Sequence, residues 1–156
     1  MRALTLLGFV LWSSCINAAE STLPAGCQAV TVQGDAVTVE AKSNSLVFIH
    51  NLMSVDLWIT HPVTDASASA GWTSRLQGDN WSALAVDKGP FILNCIESRP
   101  GHEQQVPCEG AVAVCQWGKA KFPENSQGTY WAAEDKSLDG LTAAVGARGF
   151  VIKVTK

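Results

Sequence analysis

Four cysteines constrain this chain more than any other feature. Three of them, Cys95, Cys108 and Cys115, fall in the stretch "CIESRPGHEQQVPCEGAVAVC" together with His102 and Glu103, and Cys27 lies well upstream. In a reducing compartment such a stretch reads as a nucleophile beside a base, or as a metal site. In an oxidising one it reads as covalent staples. The compartment therefore decides the chemistry.

The first residues, "MRALTLLGFVLWSSCINAAES", address the compartment. Arg2 precedes the uncharged apolar run from Ala3 to Trp12. Ile16 and Ala18 then occupy the minus-three and minus-one positions of a cleavage site after Ala18. That is the layout of a secretory signal peptide over residues 1–18, followed by one domain over residues 19–156. The apolar run is about half of the roughly twenty residues that a stable membrane-spanning helix needs, which disfavours an anchor. Lipid attachment at Cys15 is a further alternative, but "WSS" before it lacks the leucine that opens such a motif. The expected location is periplasmic or secreted.

Of the five cysteines, Cys15 leaves with the leader and four remain. An even number in an exported chain predicts two disulfides. The catalytic reading fails because a disulfide consumes the thiolate that a cysteine nucleophile needs. Structural zinc sites use closer pairs than the twelve and six residues that separate these cysteines. In "HEQQV", Val106 stands where a metalloprotease has its second histidine. A blue-copper site wants a methionine after His102, and Met53 lies far upstream. No cofactor, metal or catalytic residue is expected.

Short β-branched runs alternate with turn signals. Gly34-Asp35 separates "QAVTVQ" from "AVTVEA" as a hairpin. "SLVFIH" (45–50) and "VDLWITH" (55–61) read as strands, and "TDASASA" (64–70) as a loop. "GWTSRL" (71–76), the turn "QGDN" and "WSALAVD" (81–87) read as a second hairpin. "FILNCIE" (91–97) and "AVAVCQW" (111–117) read as strands on either side of a long polar loop from Arg99 to Gly110. That loop centres near Gln105 and sets Cys95 opposite Cys115. The expected pairing is Cys95 with Cys115 and Cys27 with Cys108. "TYWAA" reads as a short strand, and "FVIKV" (150–154) as the last one. Between them Leu138, Leu141 and Val145 have helical spacing behind Ser137 as N-cap. The fold expected is all-β in the main, an antiparallel β-sandwich with one short C-terminal helix, stapled by two disulfides.

With 47% hydrophobic and 16% charged residues the chain is a folded one, and its formal net charge is −3. A mildly acidic chain without basic clusters argues against nucleic acid or anionic lipid as partner. No segment after the leader is long and apolar enough to span a membrane. Asn80 opens the glycosylation sequon "NWS", and "SASAGWTSRL" holds no nucleophile elbow. The adjacent Glu134 and Asp135 read as charges at the helix entrance. Exposed aromatics anchor interfaces and stack on sugars, so Trp72, Trp81 and Trp131 are binding candidates, with His102 and Glu103 on the tip of the cysteine-rich hairpin.

Several segments together carry a resemblance: "DLWITHPV" (56–63), "SASAGWTSRLQGDNWSALAVDK" (67–88), "CIESRPGHEQQVPCEGAVAVCQW" (95–117), "GTYWAAED" (128–135) and "RGFVI" (148–152). With GWTSRL, NWSAL and PGHEQQVPC as its most specific parts, the chain resembles the enhanced entry protein B family, small exported proteins of intracellular gamma-proteobacteria. The resemblance implies a compartment and a setting in bacterial entry into host cells. It implies no active site. The function expected is non-enzymatic binding of a protein partner in the cell envelope or on the host surface. A carbohydrate- or peptidoglycan-binding module is the alternative.

Overall fold

A computed structural model describes residues 23–61 and 72–152. The leader with Cys15, the loop 64–70 and the end of the last expected strand lie outside the described residues. The chain forms β1 (Gln28–Ala29), β2 (Val32–Gln33), β3 (Ala36–Ala41), β4 (Ser45–Asn51), β5 (Leu57–His61), β6 (Trp72–Leu76), β7 (Trp81–Val86), β8 (Gly89–Arg99), β9 (His102–Val106), β10 (Val112–Trp117), β11 (Tyr130–Asp135) and helix α1 (Leu138–Ala147). Sheet A has the order β1-β10-β4-β7-β11. Sheet B runs β2-β3-β8-β5-β6, with β9 also paired to β8. All pairings are antiparallel.

The two sheets pack face to face over Val37, Val39, Val47, Ile49, Ile59, Leu84 and Leu93. A second core lies on the far side of sheet A, where Leu46, Phe48, Trp81 and Ala83 meet Leu141, Val145 and Phe150. Sheet A is thus covered on both faces. That is why every residue of β7 is buried and β4 is buried at all but His50. Strands covered on both sides have no solvent face, and their sequences lose the polar alternation of a half-exposed strand. The molecule is a sandwich with a helical third layer.

The helix starts where the sequence places it. Ser137 Oγ accepts from Gly140 N at 3.0 Å, and Asp139 stands in the first turn. Asp135 Oδ1 accepts in turn from Ser137 N at 2.9 Å, which is the helix-entrance charge expected of this pair. At the other end Gly149 takes φ +87°, and Phe150 N donates to Val145 O at 3.2 Å, turning the chain back onto sheet A.

Two expected hairpins are corrected. The β2–β3 hairpin forms at Gly34-Asp35, with Gly34 at φ +59°. β6 and β7, however, do not pair. β6 joins β5 in sheet B and β7 joins β4 and β11 in sheet A. The turn 77–80 carries the chain from one layer to the other. A turn between two alternating runs reads the same for a hairpin and for an inter-sheet corner. The difference is that β7 is apolar on both sides and needs cover on both. The corner is tight: a Cβ on Gly78 would lie 2.6 Å from the Ser54 carbonyl. It is clamped by Asn51, fully buried, whose Nδ2 donates to the carbonyls of Val55 (2.9 Å), Leu76 (3.2 Å) and Gln77 (3.1 Å) while its Oδ1 accepts from Met53 N (2.9 Å).

The second correction concerns the cysteine-rich stretch. The polar loop expected over 99–110 is largely strand. β8 runs to Arg99, turns at Pro100-Gly101 and returns as β9, with Cys95 opposite Val106. Two residues later Cys108 bonds Cys95, and Cys27 bonds Cys115. The pairing of Cys95 with Cys115 and of Cys27 with Cys108 is therefore wrong. Cys95 points into the inter-sheet core, and Cys115 points to the helix-covered face of sheet A. Both faces are apolar, but a sheet stands between them. The expected final strand reduces, within the described residues, to one bridge between Lys121 and Val151.

Cleavage after glutamate in the denatured, non-reduced protein separates all four cysteines. The linked peptides should be the one ending at Glu40 with the one ending at Glu124, and the one ending at Glu97 with the one ending at Glu109. Linkage of the Glu97 and Glu124 peptides would reinstate the other pairing. Asn51→Ala strips the corner of its donors and leaves buried carbonyls unpaired. It should cost about 2–4 kcal/mol by denaturant titration, and a loss below about 0.5 kcal/mol would show the clamp to be incidental.

Candidate binding surfaces

With sheet A covered twice, the bare sheet face among the described residues is that of sheet B. Along β8 the residues alternate, with Phe91, Leu93 and Cys95 buried and Ile92, Asn94 and Ile96 partly open. On β5 the partly open residues are Trp58 and Thr60. Register places Trp58 between Ile96 on β8 and Arg75 on β6, and Ile96 beside Gln105 on β9. The centre of this face is thus Trp58 and Ile96, rimmed by Thr60, Asn94, Gln105 and Arg75. Arg75 is held in place: its Nε donates to Asp56 Oδ2 at 2.6 Å. The backbone N–H of Gly78, with the Arg75 guanidinium, holds Asp56 below the usual carboxylate range. The indole Nε1 of Trp58 is shielded from solvent and has no hydrogen-bond partner among the described residues.

An edge of this sheet is β9, where His102, Glu103, Gln104 and Gln105 are all exposed and the strand pairs, among the described residues, only with β8. His102 and Glu103 therefore sit just past the tip of a hairpin, as expected, but on a regular strand with an open backbone edge. Arg99 makes an ion pair with Glu97 near that tip.

The other tryptophan candidates are distributed differently. Trp81 is 7% exposed, and His50 stacks on its ring at 4.2 Å with planes 5° apart. That leaves little of its face for a ligand. Trp131 is half-buried and packs against the inter-sheet core, lining a hollow of about 200 Å³ with Ser74, Ser82, Glu134 and Arg148. The hollow opens on the side where β6 and β11 are the edge strands. Trp72 begins β6 opposite His61, and its side chain lies outside the described residues.

His61, on β5 of sheet B, stands apart from Glu134 and Asp135 on β11 of sheet A. His61 Nδ1 meets the Ile92 carbonyl at 2.7 Å, and its ring stacks on Phe91. Glu134 Oε1 accepts from Asn80 Nδ2 at 3.1 Å, in the other sheet. Asn80 itself is 7% exposed, so the sequon is closed to glycan attachment in the folded state. Among the described residues no group of three or more His, Cys, Asp and Glu could hold a metal ion, and no helix is long and apolar enough to cross a membrane. Comparison with protein-family models, with curated proteins and with solved structures finds no match.

Trp58 and Ile96 had no signal of their own in the sequence. Their exposure follows from which sheet the helix covers. His50 carries a testable consequence. Burial pushes its imidazole below the ordinary value of 6.5, against the opposing pull of Asp79. The unfolded chain therefore takes up a proton at His50 before the folded one does, and stability falls as pH drops through the unfolded value. His50→Phe keeps a ring on Trp81 and removes the proton. The loss of stability between about pH 7.5 and about pH 5.5 should shrink in this variant, measured by denaturant titration. An unchanged loss would assign the slope to other groups.

Proposed function

We propose that this protein is an exported, non-catalytic binding protein that engages a protein partner through the bare face of sheet B and its β9 edge. The observation that carries this reading is the contrast between the sheets. One is sealed on both faces, and the other offers a face centred on Trp58 and Ile96 beside an edge strand with an open backbone. An exposed strand edge is a template for pairing with another chain, and an aromatic within a polar rim is the usual anchor of an interface. The two disulfides support an oxidising location, periplasmic or secreted, in accord with cleavage after Ala18. The resemblance to the enhanced entry protein B family supports a setting at the cell envelope or the host surface. His61, Glu134 and Asp135 are each engaged in structural contacts, which favours binding over catalysis.

A glycan ligand is the second reading. It is favoured by the neighbours of Trp58, since Asn94, Gln105 and Thr60 offer the amides and hydroxyl that recognise sugar hydroxyls beside a stacking ring.

A photo-crosslinking residue at Gln105 in the native cell, compared with one at Thr142 on the solvent side of α1, tests the surface. A discrete protein adduct from Gln105 and none from Thr142 is expected, with Trp58→Ala lowering its yield at least tenfold. Adducts from both positions alike, or from neither, would remove the face of sheet B as the docking surface. An adduct with polysaccharide alone would move the reading to the glycan.

A further inference from the structure

Six strand ends and the turns between them meet at one end of the sandwich. The turn from β3 to β4 supplies Lys42, the turn from β7 to β8 supplies Lys88, and the chain leaving β10 supplies Lys119 and Lys121. These four line one open groove of about 830 Å³, floored by Ala120 and Phe122. All four are exposed, and none forms an ion pair among the described residues. The carboxylates Asp56, Asp79, Glu97, Glu109, Glu134 and Asp135 lie near strand ends at the opposite end of the sandwich. Three carboxylates stand near the lysines without lining the groove: Glu40, in a neighbouring hollow with Lys42 and Lys119, Asp87, beside Lys88 in the turn from β7 to β8, and Glu124, two residues past Phe122. The chain carries a net negative charge, yet its fold lines this groove with four lysines and no carboxylate. Lysines this close repel one another within a screening length of about 10 Å, and no ion pair offsets any of the four among the described residues.

We propose that this lysine pole docks on the surface of an anionic phospholipid bilayer. Two observations favour a membrane over a soluble polyanion. First, the pole has an apolar rim. Phe122 is held in the groove by an edge-on contact with Phe150 at 5.0 Å. Val151, bridged to Lys121, is 49% exposed, more than any other large hydrophobic residue described. Basic residues beside exposed apolar ones suit the headgroup region, where the charge meets phosphate and the apolar group meets acyl chain. Second, the chain enters the fold at this end, since Gly26 lines the hollow shared with Lys42 and Lys119. Docking by this pole leaves the bare face of sheet B standing off the bilayer, free for a partner.

The test is flotation of the exported full-length protein with vesicles of phosphatidylcholine, with and without one quarter phosphatidylglycerol, at low and at high salt. Binding to the anionic vesicles alone, lost at high salt, is expected. Each lysine should contribute roughly fivefold to partitioning, so Lys42→Gln, Lys88→Gln, Lys119→Gln and Lys121→Gln combined should lower it several hundredfold without moving the Tm. Lys136→Gln, at the opposite pole, should leave it unchanged. Val151→Ser should weaken vesicle binding but not the retention of the protein on a soluble sulfated polysaccharide. Equal binding to both kinds of vesicle, or no loss in the fourfold variant, would overturn the proposal. So would full competition by inorganic phosphate, which would make the groove a site for the free anion.

Discussion

The double burial of sheet A is the constraint from which the rest of the structure follows. β4 and β7 carry apolar residues on both sides, so the sheet needs a layer against each face. Sheet B supplies one. Helix α1 and the segments around Phe122 and Phe150 supply the other. Each disulfide serves one of these layers. Cys95–Cys108 ties the β8–β9 hairpin to the chain that crosses back to sheet A, from within the inter-sheet core. Cys27–Cys115 ties the N-terminal segment to the helix-covered face. In a chain-entropy account the second, which closes a loop of 88 residues against 13, contributes the more, about 4.5 against about 3 kcal/mol. The long-range staple therefore secures the layer that has the least β-ladder support of its own.

The surface left for function is what this layering does not cover. Sheet A has no free face: its Trp81 and Trp117 are spent on packing, and Trp131, half-buried, packs against the inter-sheet core. The bare face belongs to sheet B, and its aromatic is Trp58. The turns at the two ends are free to carry charge, and those at one end line a groove with four lysines. Binding through a sheet face and orientation through a charged pole use different surfaces, so the two can act at once without competing.

The cysteine-rich stretch shows where sequence reasoning stops. That it would be covalently stapled followed from the leader expected over residues 1–18 and the even count of the cysteines after it. The partners did not follow, because the tip of a hairpin is set by where a turn forms. Pro100-Gly101 forms it five residues earlier than the midpoint of the stretch. The corner at 77–80 failed for a related reason: turn chemistry records that the chain reverses, and the sheet it reverses into depends on which faces need cover. The lysines are the clearest case. Lys42, Lys88, Lys119 and Lys121 are scattered along the chain, and no window of sequence contains all four. A reading without basic clusters was true of the chain and untrue of the fold.

What the sequence by itself determined is local. Alternation and β-branching set the strands. Ser137, Leu141 and Val145 set the helix. Gly34 set one hairpin, and the even number formed by Cys27, Cys95, Cys108 and Cys115 set two staples. Each of these rests on interactions within a few residues, or on a count. What only the tertiary structure decided is everything that depends on which elements share a layer: the disulfide partners, the burial of Trp81, the partial exposure of Trp58 and the gathering of four lysines around one groove. Packing joins residues far apart in the chain, and the free energy that selects those partners is the burial of two apolar faces at once, which no short stretch of sequence contains.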